Sequence, residues 1–424
     1  MGVLGFLLAV GVAGGWAWYK VASVPPEICA KLSILEALKF KDTLITNPPK
    51  EGEIAAQRPA ALMLKEKLAA EFPALRVTAR PVPDDENGFL LLHQLADPGH
   101  AVASGWPVSE EFRQILEQRP PWDPAGARQC LTENAGLVSR IEHIADLTTR
   151  SSSNLPAEYN GLIEARTGKN GCDILLLKAR LAAEAGDENE TLRLVHAAVN
   201  LGSHYHAVES PTLLCEIVAI LTHLSIDRAA FQTLLPAVGR KADLVRWKAV
   251  LGQRSYTPAD LAGVMRGEWN TSAEFMFFPF ILAGAAKHQL PDAEAVARAG
   301  TSWFNTCVTR LDTCALADVA TAFQAPTDVS HLSPEGREVI ADLTKEFGWA
   351  KGYVRAATVH AQHQAALELL ILEQGGATLT DTDAARITPD PVSGLPFGFD
   401  AAKRVLTPAP DIEDLGVKPL ALPW

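Results

Sequence analysis

The chain has none of the short signatures that mark common chemistries. It contains neither GxxxxGK[ST] nor GxGxxG, so no phosphate cradle for a nucleotide is announced. GxSxG is missing, as is a Ser-x-x-Lys with its companion motifs, and no cysteine stands in a protease-like context. The six cysteines, Cys29, Cys130, Cys172, Cys215, Cys307 and Cys314, include no CxxC pair; an even number permits disulfides without requiring them. Cys307 and Cys314 are separated by about 10 Å if one helix carries both, too far to bridge unless that helix breaks. Positive charge is scarce as well. The net charge is -12 and no Lys/Arg run occurs, which argues against a nucleic-acid partner. Charged residues are only 21% against 48% hydrophobic, a composition of ordered globular proteins, and 424 residues suffice for a full core.

Long apolar runs are also absent, with one exception. Val3 to Tyr19, VLGFLLAVGVAGGWAWY, carries no charge until Lys20. At about 1.5 Å per residue it reaches most of the way across a ~30 Å hydrocarbon core. Its glycines are tolerated in a membrane helix, and Trp16, Trp18 and Tyr19 suit the headgroup boundary. The competing reading is a cleaved signal peptide, with small residues at Val21-Ala22-Ser23; against it, a basic n-region is lacking and Lys20 interrupts the approach. An uncleaved anchor is therefore expected.

Beyond the anchor the periodicity is helical. Pro25-Pro26 separates it from a helix over Ile28 to Phe40; Thr46 to Arg58 reads as a loop; Ala60 to Phe72 resumes the 3.6-residue period. Arg76 to Arg80 reads as a short extended piece. Asp84, Asp85 and Glu86 follow two prolines where a helix N-terminus welcomes negative charge, ahead of Phe89 to Leu95. The Ser109-Glu110-Glu111 stretch repeats that pattern, and Pro120 to Pro124 is a rigid linker before a helix through Leu137 to Leu147. From Cys172 to Leu201 two apolar helices meet at Gly186-Asp187, an antiparallel hairpin of tetratricopeptide type with small residues Ala179, Ala183 and Ala197; no further units share its period. Helices are then expected over Pro211 to Leu224, Ile226 to Leu235, Lys241 to Leu251, Pro258 to Met265, Ala273 to His288, Ala293 to Phe323, Pro334 to Phe347 and Tyr353 to Glu373. Thr257-Pro258 and Ser333-Pro334 place an N-cap before a first-turn proline. After Gly375-Gly376, Ser393-Gly394 is turn chemistry, and Phe397 and Phe399 share one side of a strand with which Val405-Leu406 could pair.

The fold class expected is mainly α: an N-terminal membrane helix, an irregular α-helical hairpin body with one tetratricopeptide-like unit, and a small C-terminal β element. The divisions read as anchor 1–24, N-terminal helical region 25–150, helical-hairpin body 151–350, long helix plus β hairpin 351–406, and proline-rich tail 407–424 extended over the surface.

Three segments, PVPDDEN at Pro81 to Asn87, AGDENETLRLVHAAVNLGSHYHAVESPTLL at Ala185 to Leu214, and DPVSGLPFGF at Asp390 to Phe399, resemble uncharacterised membrane-anchored bacterial envelope proteins. The resemblance implies an anchored, mainly helical protein with a small C-terminal β element, and no activity. The C-terminal helix, Asp-Pro turn and hairpin also look like the end of type II secretion pseudopilins, but Gly5-Phe6 lacks preceding basic residues and position 10 is Val10, not the glutamate of such a leader. Lys20 and Lys31 follow the apolar run, which on the positive-inside rule would leave the body in the cytoplasm. The envelope resemblance and the even cysteine count point the other way. The location expected is the bacterial inner membrane, single-pass, with the body on the periplasmic side.

Two histidine pairs are the residues to weigh for chemistry. His204-Tyr205-His206 with Glu209 sketches a metal site, but no distant ligand is identified, and such histidines more simply cap carbonyls or meet solvent. His360 and His363 lie three apart on the C-terminal helix, with Glu368 five beyond His363 and off that face, so HxxH lacks its acid. Asp390 could begin a calcium loop, yet no second acid is near; a turn-fixing role is simpler. No catalytic, cofactor-binding or metal-ligating set is assigned. The function expected is non-catalytic binding or scaffolding through a protein partner. The alternative is a hydrolase or metal-dependent enzyme with residues dispersed in the helical body, with His204, His206, His360 and His363 the places to look.

Overall fold

A computed structural model describes residues 50–96, 115, 122–153, 161–287, 290–344, 349–409 and 415–424. The apolar run, the Ile28 to Phe40 helix and the Ser109 to Leu116 segment expected from the sequence lie outside them, save Ile115. The described chain is mainly helical with one small three-stranded sheet. Among the described residues no helix is long and apolar enough to cross a membrane. Contacts divide it into two units, each drawn from separated parts of the chain.

The first unit takes residues 50–78, Glu209–Leu213 and Thr257–Val354. Helices Glu51–Ala56 and Arg58–Glu71 occupy ground expected to be a loop up to Arg58. Lys50 opens the first, and Glu53 returns a carboxylate to the Lys50 N–H at 2.6 Å, so Gly52 is carried inside a turn despite its low propensity. Helices Pro258–Thr271, Phe277–Ala286, Ala293–Leu311 and Pro334–Thr344 complete the unit around buried Trp269, Phe278 and Trp303. Thr257 and Ser333 both cap as expected, each accepting from a backbone N–H three residues on. The helix expected over Ala293 to Phe323 stops at Leu311 and resumes only as short turns, so Cys307 and Cys314 are not on one rod; both are free thiols.

The second unit takes Ala79–Val208, Leu214–Tyr256 and Arg355–Trp424. Its elements relevant here are α1 (Gly88–Ala96), α2 (Ala135–Asp146), α3 (Gly161–Glu184), α4 (Glu188–His206), α5 (Leu213–Ala229, in this unit from Leu214), α6 (Leu244–Leu251) and α7 (Trp349–Gln374, in this unit from Arg355). The α1 start is not capped by the acids before it. Asp84, Asp85 and Glu86 form an exposed 3-10 turn, while buried Asn87 accepts from Leu90 N–H at 3.3 Å and Ser151 N–H at 3.0 Å. The α3–α4 hairpin turns where expected: Gly186 takes φ 76°, open to it without a Cβ, and Asp187 caps α4 through Glu190 N–H at 3.0 Å.

Instead of two helices over Pro211 to Leu224 and Ile226 to Leu235, α5 runs through that break into a π turn, Ala230–Leu234, and on to Leu235–Val238. Pro236 has no N–H to give the carbonyl four residues back, and the wider turn accommodates the loss. The same device, Ser272–Met276 ahead of Pro279, appears in the first unit.

Strands β1 (Gly398–Asp400), β2 (Val405–Thr407) and β3 (Leu420–Ala421) pair antiparallel in that order, with Phe399 opposite Leu406 and Leu406 opposite Leu420. The tail expected to lie over the surface thus supplies an edge strand and buries Leu422. Gln362 on α7 donates to Leu406 O at 2.9 Å and Lys418 O at 3.2 Å, tying helix to sheet. Phe397 is 1% exposed and, with Phe399, Leu406, Leu369 and Leu370, belongs to one continuous core with Trp247 and the α3–α4 hairpin. Asp390 fixes the approach: its Oδ1 accepts from Val392 and Ser393 N–H at 2.9 and 2.8 Å. Phe397→Ala is expected to destabilise the protein by about 3–5 kcal/mol. Thermal or urea unfolding measures it, and an unchanged midpoint would show that the ring is not packed.

Candidate functional site

Helix α5 is apolar along most of its length, yet Glu216, His223 and Asp227 sit seven and four residues apart and so fall on one face. All three are buried. Charge in that position has to be answered by partners, because an unpaired ion in a low-dielectric interior costs several kcal/mol. Glu216 receives two. Buried Arg254 pairs with its Oε1 through Nη2, and His206 Nδ1–H donates to its Oε2 at 2.6 Å. Burial pushes the Glu216 carboxyl up, but Arg254 and His206 outweigh it and hold it below the usual carboxylate range. The Arg254 guanidinium lies over the Tyr256 ring, 4.4 Å from its centroid, and burial raises the Tyr256 hydroxyl.

Asp227, one turn beyond His223, accepts from His360 Nδ1–H at 3.0 Å. His360 also packs on Tyr256, ring centroids 5.6 Å apart. His223 stands among Arg254, His206 and His360; burial, then those three positive or protonatable neighbours, push it well below its ordinary value. Its Nε2 has no hydrogen-bond partner among the described residues.

A cavity of about 520 Å³ opens beside this cluster. Its walls come from α6 and the segment after it, from α7, and from Thr388 and Pro391. On α7, His360, Gln364 and Glu368 line it at four-residue spacing, with Ala357 three residues before His360 and Ala361 just after it. Glu368, expected off the face that carries the two histidines, shares the stripe of His360, eight residues before it. Opposite, Lys248 donates to Glu368 at 2.6 Å, and Thr388 N–H and Oγ donate to the same carboxylate at 2.6 and 2.8 Å. Although partial burial raises Glu368, these donors leave its carboxyl lowered on balance. Gly252 gives Gln364 its room, since a Cβ there would stand 3.2 Å from Gln364 Oε1 and 2.8 Å from Lys248 O.

Of the four histidines named from sequence, His206 and His360 join this cluster. His363 turns inward, its ring 4.9 Å from Phe231 and its Nδ1–H donating to Val359 O at 2.7 Å. His204 faces away, donating from Nε2 to Ile144 O at 2.8 Å on α2, where burial holds it down to about 3. Sequence reasoning missed Glu216, His223, Asp227, Arg254, Tyr256 and Gln364. The signal that marked the first three was three ionisable residues on one face of a mostly apolar helix. Among the described residues, no group of three or more His, Cys, Asp and Glu is arranged to hold a metal ion. No family model matches the chain, and neither the curated proteins nor the solved structures include a match.

Two predictions follow from the buried charges. Arg254→Leu leaves the buried Glu216 with His206 as its remaining partner, with an expected loss of about 3 kcal/mol, and adding Glu216→Leu should restore much of it; unfolding of single and double variants tests this. Acid should also destabilise. Burial, the largest cause, lowers His204, His223 and His363, so their neutral forms belong to the folded state and the unfolded chain binds more protons below about pH 6.5. The melting temperature should therefore fall as pH drops from about 6.5 toward 4, and His204→Gln should flatten that slope.

Proposed function

We propose that this is a membrane-tethered binding protein of a bacterial envelope whose ligand is a small, uncharged molecule bearing a carbonyl or similar acceptor. The tether is the Val3 to Tyr19 run, and the body stands on the periplasmic side of the inner membrane, a reading supported by the envelope-protein resemblance. The Cys172 to Leu201 hairpin is a single tetratricopeptide-type unit used to build the ligand-binding unit.

The observation that carries this reading is how the cavity walls dispose of their charge. Lys248 is paired with Glu368 and Arg254 with Glu216, so both cations lining the cavity already have carboxylates. A charged ligand would have to displace one of them. Beside them stand apolar surface from Val245, Ala249, Ala357 and Ala361, and the polar groups of Tyr256, His360 and Gln364. The Gln364 Nε2 is a buried donor with no partner among the described residues, and such a group favours a ligand that offers an acceptor.

Thermal-shift measurement against a panel of short-chain amides, esters, alcohols and carboxylates tests this. Neutral carbonyl compounds should raise the melting temperature and Ala361→Trp should abolish the rise; a panel in which only the carboxylates bind would overturn the ligand class. Topology is tested separately by C-terminal fusions, where activity only of a cytoplasm-dependent reporter would overturn the periplasmic placement.

A further inference from the structure

We propose that the same cavity is hydrolytic: His360, held by Asp227, acts as the general base in cleavage of a small neutral ester, with Gln364 supporting the carbonyl oxygen. The inference rests on the binding reading above and adds chemistry to it. Its foundation is the geometry of His360. Nδ1 is committed to the buried carboxylate of Asp227 at 3.0 Å, which fixes the tautomer with the proton on Nδ1 and leaves the lone pair on Nε2. His360 lines the cavity, and its Nε2 has no protein partner among the described residues. An imidazole oriented by a carboxylate in the wall of a cavity has the arrangement of a general base with room for a substrate.

Gln364 lies one helical turn from His360 on the same face, its Nε2 without a partner among the described residues. In the proposed reaction the Gln364 amide turns so that its N–H meets the carbonyl oxygen of the bound ester. The cavity walls offer neither a serine nor a cysteine, and the Thr388 hydroxyl is committed to Glu368, so the attacking group is water.

The balance is that of simple hydrolysis. His360 Nε2 takes a proton from water as its oxygen bonds to the ester carbon, and the carbonyl oxygen gains negative charge that the Gln364 N–H stabilises. When the tetrahedral species collapses, the bond from carbon to the alkoxy oxygen breaks and the proton on Nε2 passes to that oxygen. Acid and alcohol leave, the imidazole is neutral again, and nothing is oxidised or reduced. Asp227 does not touch the substrate and is a positioning residue.

The test uses the full-length protein in detergent with p-nitrophenyl acetate and p-nitrophenyl butyrate, and butyramide as a non-hydrolysed binding probe. Saturable release of p-nitrophenolate is expected, rising with pH through one ionisation. His360→Ala should lower kcat by about 10²-fold or more, with partial rescue by added imidazole. Asp227→Asn should lower kcat and move the pH midpoint downward, because removing the carboxylate disfavours imidazolium, a shift that a merely structural defect would not produce. Gln364→Ala, at a half-buried position, should also lower kcat by about 10²-fold with intact folding by circular dichroism, and so keeps the test decisive if His360→Ala fails to fold. Binding of butyramide without saturable hydrolysis, or hydrolysis unaffected by both His360→Ala and Gln364→Ala, would overturn the catalytic proposal while leaving the binding reading in place. Neither binding nor hydrolysis would overturn both.

Discussion

The ion pair between Glu216 and Arg254 is the constraint on which the second unit depends. Both side chains are essentially solvent-free, so neither tolerates the loss of the other, and each comes from a different element. The pair therefore locks α5 to the segment after α6, and that segment presents Tyr256 to His360. Such a pair contributes little net stability relative to a well-packed apolar substitute; what it supplies is a single permitted arrangement. His206 extends the arrangement to α4, and through it to the hairpin at the centre of the unit's core.

Next to this locked layer the walls are graded from dry to wet. Asp227, His223 and His360 are buried, and Gln364 and Glu368 are half-buried. A wall of this kind keeps one side of an imidazole in low dielectric while the other borders the cavity, which is the setting in which a modest hydrogen bond exerts strong orientation. Ala357 and Ala361 beside the polar positions of α7 leave the space, and Gly252 keeps the opposite backbone close without filling it.

Much of the architecture was legible because it is local. Thr257-Pro258, Ser333-Pro334 and Gly186-Asp187 each carry their geometry within four residues, and all three act as read. The alternation of Phe397 and Phe399 placed a strand, and both rings are buried. What failed was non-local or depended on the hydrogen-bond ladder. Asn87 caps α1 in part through Ser151, far along the chain, so the three acids beside it misled. The π turns before Pro236 and Pro279 let helices continue past prolines that would ordinarily end them. The histidines were found by type, but which of them converge was set by Glu216 and Asp227, whose meaning emerges only when α4, α5 and α7 are brought together.

The sheet carries a consequence for how the chain is made. Leu420–Ala421 closes the edge of β2, and Leu422 enters the core shared with the α3–α4 hairpin more than two hundred residues earlier. During synthesis that hairpin emerges onto α1 and α2, which are already made, whereas the part of the shared core that takes in Leu422 stays uncovered until that residue is added. Closing so long a loop costs only a slowly growing entropy, so the finished unit need not be weak, but the delay exposes hydrophobic surface for the time the ribosome takes. Shielding of that surface in the interval therefore favours folding over aggregation.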